Sequence, residues 1–219
     1  ISKLKGFITK PWEHVSCLLK RRKDFAFFQW GFFFGGGSIM LMKPAEMALV
    51  KLLPISYTHI TVAIWTCKGL GFVFASPFWS QHFRAKNIYF LSGMTLIFTA
   101  LCYILFLFTQ GPFSSMGQVT FFFLAYFVYG VWQAGSHLIW PLSGITFAGQ
   151  ESSSIYNTVN VLSVGIRGLI MPGLGSLLIG VVSLSAVFSI GITLCLLGAY
   201  LFFNPQNSLN SCKTLSSKS

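Results

Sequence analysis

The sequence predicts an all-α membrane protein of six transmembrane helices, and three observations carry that prediction. Of 219 residues, 54% are apolar and only 9% are charged. Soluble domains carry roughly 25% charged residues, so most of this surface has to face lipid. The apolar residues fall into six runs, each long enough for the about 20 residues that a helical span needs. The runs are continuous rather than alternating, unlike barrel strands of about 10 residues. A helix also satisfies its backbone polar groups within its own segment, as lipid requires.

The first run covers Phe25 to Leu53 and contains Gly35-Gly36-Gly37 and Pro44, where an interruption and a kink are expected. The second covers Tyr57 to Trp79 and is followed by a polar stretch, Ser80 to Asn87, expected to be a loop. The third covers Ile88 to Thr109 and ends at Gln110-Gly111-Pro112. The fourth covers Gln118 to Phe147, and the polar stretch Gly149 to Ser154 separates it from the fifth, Ile155 to Ile179. The sixth covers Val182 to Phe203, and Asn204-Pro205 stops it. The domain reading is a linker over 1–24, a helical bundle over 25–203 and a disordered Ser/Asn-rich tail over 204–219.

The net charge is +11, and its distribution sets orientation. Lys3, Lys5, Lys10, Lys20, Arg21, Arg22 and Lys23 all precede the first run. Basic residues beside a span mark a cytoplasmic flank and attract anionic headgroups. No basic segment is joined to a soluble fold, which argues against a nucleic-acid partner. Six spans put both termini on one side, together with Arg84, Lys86, Lys213 and Lys218; the other side keeps only Lys43 and Lys51 as loop cations. This predicts a multi-pass protein of the plasma (inner) membrane with both termini cytoplasmic. The chain starts at Ile1 without the charge, core and cleavage order of a signal peptide, so it is read as a fragment or as a chain whose start lies upstream. Its five cysteines form no CxxC pair and three lie in apolar runs, the pattern of packed thiols; neither a metal site nor a cofactor is expected.

The order of features resembles the C-terminal half of a major facilitator superfamily transporter. Pro11-Trp12 and the basic cluster ending Lys23-Asp24-Phe25 resemble the family's central linker running into its seventh helix. Gly35-Gly36-Gly37 with Pro44 resembles the breaks of that helix, and Leu53-Pro54-Ile55-Ser56-Tyr57-Thr58 resembles the outer loop into the eighth. The Ser80–Asn87 stretch resembles the family's basic loop motif, but Trp79-Ser80 stands where glycine is expected and His82 near the acid position. Gly165-Ile166-Arg167-Gly168 followed by Pro172-Gly173 is similar to an eleventh-helix pattern. The resemblance covers about Pro11 to Phe203. It implies a C-terminal half bundle, an N-terminal six-helix half as partner, and alternating access around a midplane solute site. The third and sixth spans, which carry no charge, would be outer scaffold.

Two cations lie in mid-span, Lys68 and Arg167. Each costs about 2.5 to 3.5 kcal/mol at the bilayer centre on insertion scales, so each marks a functional site by default. The plain alternative is a carboxylate or carbonyl partner that only holds helices together. Asp24 and Glu46 are read as lying near helix ends and Glu151 in a loop, which leaves the two cations without an internal counter-ion. The reading favours an organic anion or a phosphorylated solute, or else a carboxylate of the partner half. The fifth span carries Asn157, Asn160, Val164 and Arg167 on one face, as a cavity wall or a hydrogen-bonded helix seam would. The fourth carries Tyr126, Gly130, Gln133 and His137 on one face, and the resemblance places that helix at the cavity. Here the alternative is helix packing, although His137 titrates in a range suited to proton relay. Gln29, with Phe33, Gly36 and Met40, makes a weaker face on the first span. The substrate-binding candidates are therefore Lys68, Arg167, Gln133, His137, Asn160, Tyr126 and Gln29.

Enzymatic readings find no support. Gly35-Gly36-Gly37 is not followed by Gly-Lys-Ser/Thr, and Gly69 and Gly71 lie inside an apolar run. No Ser/His/Asp grouping has an acid in reach. The expected function is solute transport by alternating access within the lipid bilayer. The competing expectation is a transport-inactive sensor or assembly partner of the same fold, suggested by the altered loop motif.

Overall fold

A computed structural model describes residues 15–53, 56–85 and 87–204. All regular structure among the described residues is helical, and six helical segments are long and apolar enough to cross a membrane. The linker up to His14, Pro54, Ile55, Lys86 and the tail from Pro205 lie outside the described residues, so the readings placed there stand outside the structure.

Residues 15–21 are helical and lead into α1 (Lys23–Leu52). The second span has three parts: α2 (Tyr57–Val62), a π-helical turn (Ala63–Cys67) and α3 (Lys68–Ala85). The remaining spans are α4 (Ile88–Phe108), α5 (Ser115–Ala148), α6 (Ser153–Val181) and α7 (Leu184–Phe203). Polar residues start four of the helices as the sequence pattern requires. Ser56, Asn87, Ser114 and Ser183 each accept a first-turn backbone N–H, which satisfies one of the donors a helix start leaves open. Gly149 ends α5 at φ 57°, a left-handed conformation that suits glycine.

α1 is one helix through both the glycine run and Pro44. One boundary expectation changes. The polar stretch after Trp79 is not a loop: α3 continues to Ala85. Its hydrophilic residues stay helical because Trp79, only 1% exposed, anchors that turn by donating from Nε1 to the Val131 carbonyl of α5 at 2.8 Å.

α1 packs against α6 and α7, α4 against α5 and α7, and α3 against α5, with α5 and α6 also touching. Two apolar clusters fill the bundle. One, towards the loop between α1 and α2, gathers Met42, Leu49, Tyr103, Phe106, Phe122 and Phe188. The other, towards the chain termini, gathers Phe25, Phe28, Trp79, Leu91, Phe147 and Phe202. Small residues let the backbones meet, as in membrane bundles. A Cβ on Gly71 would collide with the Phe127 carbonyl, and one on Gly130 with the Lys68 carbonyl, so α3 and α5 cross in backbone contact. Gly175 brings α6 equally close to the Leu41 carbonyl of α1.

Charge concentrates at one end. Arg21 pairs with Glu151 at 2.8 Å and Arg22 with Asp24 at 3.0 Å. Tyr156 Oη donates to Glu151 at 2.7 Å and accepts from Arg22 at 3.2 Å, while Tyr89 Oη donates to the Asp24 carbonyl at 2.9 Å. The Asp24 carboxylate, hydrogen-bonded to Arg22, raises the guanidinium's pKa above its ordinary value. These contacts tie the start of α1 to α4, α6 and the α5–α6 turn. Lys51 is the lone Lys or Arg at the opposite end among the described residues.

Candidate functional site

The one intramembrane carboxylate among the described residues organises the most polar interior site. Glu46 sits on α1, six residues before its end, with its side chain 4% exposed. Glu46 Oε2 accepts from Lys43 Nζ at 2.8 Å, one turn earlier on the same helix. Lys43 Nζ also donates to Tyr129 Oη at 2.9 Å and lies 4.5 Å from the centre of that ring. Lys68 Nζ lies 4.9 Å from the same ring centre. Tyr129 of α5 is therefore shared by ammonium groups from α1 and α3. Cation–π contacts of this kind are worth about 0.5–2 kcal/mol, more where water is excluded. Two ammonium groups against one carboxylate leave one net positive charge, and Lys68 makes no ion pair among the described residues.

This corrects the sequence reading in two places. Glu46 is a buried acid within a span, because α1 extends past Pro44 and carries it back into the bundle. Lys43 is not a loop cation, because the same helix turns it onto Tyr129. The spacing of Lys43 and Glu46, three residues apart in an apolar run, was the available signal.

Local structure explains why Lys68 reaches this point. The π-helical turn Ala63–Cys67 immediately precedes it, and such turns shift side-chain register and recur at functional sites. The Gly71/Gly130 crossing then presses α3 onto α5 beside Lys68. Further along α5, Gln133 and His137 approach each other at 3.3 Å between Nε2 atoms, and the His137 ring packs 5.7 Å from Phe72 of α3. Gln133 is half-buried and His137 exposed. Lys68, Gln133 and His137 thus share the α3–α5 seam. Tyr126 lies on the buried side of the same site: its ring is 6.0 Å from Tyr129, 4.9 Å from Phe122 and 5.5 Å from Phe106.

The α6 candidates form a different arrangement. Gln29 Nε2 donates to Asn160 Oδ1, Asn160 Nδ2 donates to Ser143 Oγ at 2.9 Å, and Ser143 Oγ donates to the Trp140 carbonyl at 2.8 Å. That chain links α1, α6 and α5, and leaves Gln29 Oε1 without a hydrogen-bond partner. Arg167 is 1% exposed, and its Nη1 donates to the Phe32 carbonyl of α1. Its guanidinium carbon lies 4.3 Å from the Phe32 ring centre. A backbone carbonyl, the partner the helix-packing alternative gives, meets the guanidinium here. Asn157 fills the space beside Gly144 of α5. This polar stripe is a hydrogen-bonded seam between helices in this structure.

A trough of about 500 Å³ lies beside the seam, lined by Leu19, Lys20, Gln29, Trp30, Phe33 and Leu162 among others. Its walls are almost wholly apolar. No group of three or more His, Cys, Asp or Glu side chains converges among the described residues.

No family model, no curated protein and no solved structure matches this chain.

Proposed function

We propose that this chain is one six-helix half of a secondary transporter that moves small organic anions or phosphorylated solutes by alternating access. The observation that carries the reading is the Lys43–Tyr129–Lys68 arrangement, in which two ammonium groups share one ring and only one carboxylate balances them. An uncompensated cation inside a bundle is costly, and an anionic solute is the ligand that offsets it. Gln133 and His137 on the same seam supply hydrogen-bonding groups beside it. Substrate sites near the bilayer midplane, formed where two repeats meet, are the usual arrangement in secondary transporters. The major facilitator resemblance supplies the second half as partner, with its surface against the exposed side of α3 and α5.

The concentration of basic residues at the end carrying the start of α1 supports a plasma-membrane protein with both termini cytoplasmic.

The test is uptake of labelled carboxylates and phosphate esters into cells expressing both halves together, with Lys68→Met and Arg167→Met in this chain as variants. The reading expects at least a tenfold loss with Lys68→Met and a small change with Arg167→Met. Anion uptake unchanged by Lys68→Met would overturn it.

A further inference from the structure

We infer that Glu46 is the proton carrier of this site, so that anion entry and proton uptake are coupled by competition for Lys43. The inference rests on the anion-transport reading above, but its central step can be tested without a substrate.

Glu46 has one polar partner. Oε2 accepts from Lys43 at 2.8 Å, whereas Oε1 is buried and has no hydrogen-bond partner. Lys43 is not committed to Glu46 alone, since it also donates to Tyr129 Oη, and its side chain is 40% exposed. An incoming anion meets the partly exposed Lys43 and Lys68 before it meets Glu46, whose side chain is 4% exposed. Every interaction the anion makes with Lys43 weakens the one that keeps Glu46 ionised. A buried carboxylate without a cationic partner takes a proton rather than remain charged.

The other titratable groups around Glu46 do not replace Lys43. Cys102 and Tyr103 of α4 and Tyr126 and Tyr129 of α5 lie within electrostatic range, and Cys195 of α7 lies beyond them. All are neutral donors or weak acids. Lys68 of α3 is the one other cation in range, and it is the group the anion occupies. α6 contributes no titratable group to this cluster. A metal ion is a poor alternative carrier, because it needs several oxygen ligands and meets one carboxylate beside an ammonium group here.

The step balances as a proton transfer. Water on the open side gives a proton to Glu46 Oε1 as the anion binds Lys43 and Lys68. When the anion leaves on the opposite side, Lys43 returns to Oε2 and the proton departs to water on that side. One proton then travels with each anion that displaces Lys43, whatever charge the anion carries.

Infrared difference spectroscopy of the purified full chain tests the switch directly. Lys43→Met/Lys68→Met imitates the loss of both cations. It should show at neutral pH the carbonyl stretch of one protonated carboxylic acid per chain, absent from the unmodified protein. Adding Glu46→Gln should abolish that band, and Lys43→Arg should not produce it. A monodisperse double variant without the band overturns the inference whatever the protein transports. In vesicles holding both halves together, succinate and inorganic phosphate serve as probes with a pH dye outside. Uptake of either with alkalinisation of the medium, lost in Glu46→Gln, is the expected result. Anion uptake without alkalinisation overturns the coupling and leaves the transport reading standing; uptake of neither probe, with the infrared band present, counts against the transport reading alone.

Discussion

Arg167 and Gly36 compete for one volume: Nη1 of the Arg167 guanidinium occupies the place where a Cβ on residue 36 would stand. The absence of a side chain at Gly36 is what lets a fully buried cation reach across from α6 to the Phe32 carbonyl of α1. Gly36→Ala should therefore displace the guanidinium and destabilise the bundle by about 1–3 kcal/mol, the usual cost of overpacking. Arg167→Met removes an unbalanced buried charge, so it should be neutral or stabilising. In the double variant Arg167→Met should suppress most of the Gly36→Ala cost. Thermal unfolding in detergent across this double-mutant cycle measures the coupling; additive effects would contradict the packing described.

Gly69 and Gly71 offer a comparison within one helix. A Cβ on Gly69 meets nothing within 4 Å, whereas one on Gly71 meets the Phe127 carbonyl. Gly69→Ala should be neutral or raise stability by up to about 1 kcal/mol through helix propensity. Gly71→Ala should cost about 1–3 kcal/mol, because backbone, not a mobile side chain, must move. Gly130→Ala should resemble Gly71→Ala, since its Cβ meets the Lys68 carbonyl from the other side. These two substitutions also displace Lys68, so they should reduce anion uptake more than Gly69→Ala does. Unfolding temperatures and uptake measured on the same three variants check both statements.

The six spans were legible in the sequence because lipid imposes a length and a composition on every one. Their ends moved by a few residues where polar side chains remained helical, as from Ser80 to Ala85. The interior contacts were less legible. Arg167 finds a backbone carbonyl, and a carbonyl leaves no mark in an amino-acid sequence. Glu46 was read as lying near a helix end, and it does stand six residues before the end of α1, yet the bundle still buries it there. Tyr129 was missed for a related reason. It shares the face of Tyr126 and Gln133 at spacings of three and four, but only the close α3–α5 crossing brings Lys68 over its ring. The Gln133–His137 pair was legible, being a contact between residues four apart on one helix.

The Lys43–Glu46 pair should behave as a unit in stability. Lys43→Met leaves a buried carboxylate without its cation and should cost about 1–3 kcal/mol, the range for an unsatisfied buried group. The lower part of that range is expected because Lys43 is 40% exposed on its side chain and solvent screens the pair. Combining it with Glu46→Gln should recover most of the loss, since the amide needs no cation. Unfolding at fixed pH across the four proteins gives the coupling energy. Equal destabilisation by the single and double variants would mean that Lys43 acts through packing alone.

Orientation can be read from a thiol already in the chain. Cys17 is exposed beside the basic end of the bundle, whereas Cys102 and Cys195 are buried and Cys67 is half-buried. In a Cys212→Ser background, a membrane-impermeant maleimide added to whole cells should leave Cys17 unlabelled and should modify it after permeabilisation. Thr58→Cys, exposed on the first turn of α2 at the opposite end, should show the reverse, with labelling in intact cells. The expectation follows from the bias of Lys and Arg towards the cytoplasmic side of a membrane. Lys20, Arg21, Arg22 and Lys23 stand at the Cys17 end, and Lys51 alone at the Thr58 end among the described residues. If Cys17 labels in intact cells and Thr58→Cys does not, the bundle is inverted. Lys43 and Lys68, which lie in the half of the bundle away from the basic end, would then sit nearer the cytoplasm, and the proton that Glu46 takes up would be drawn from that side.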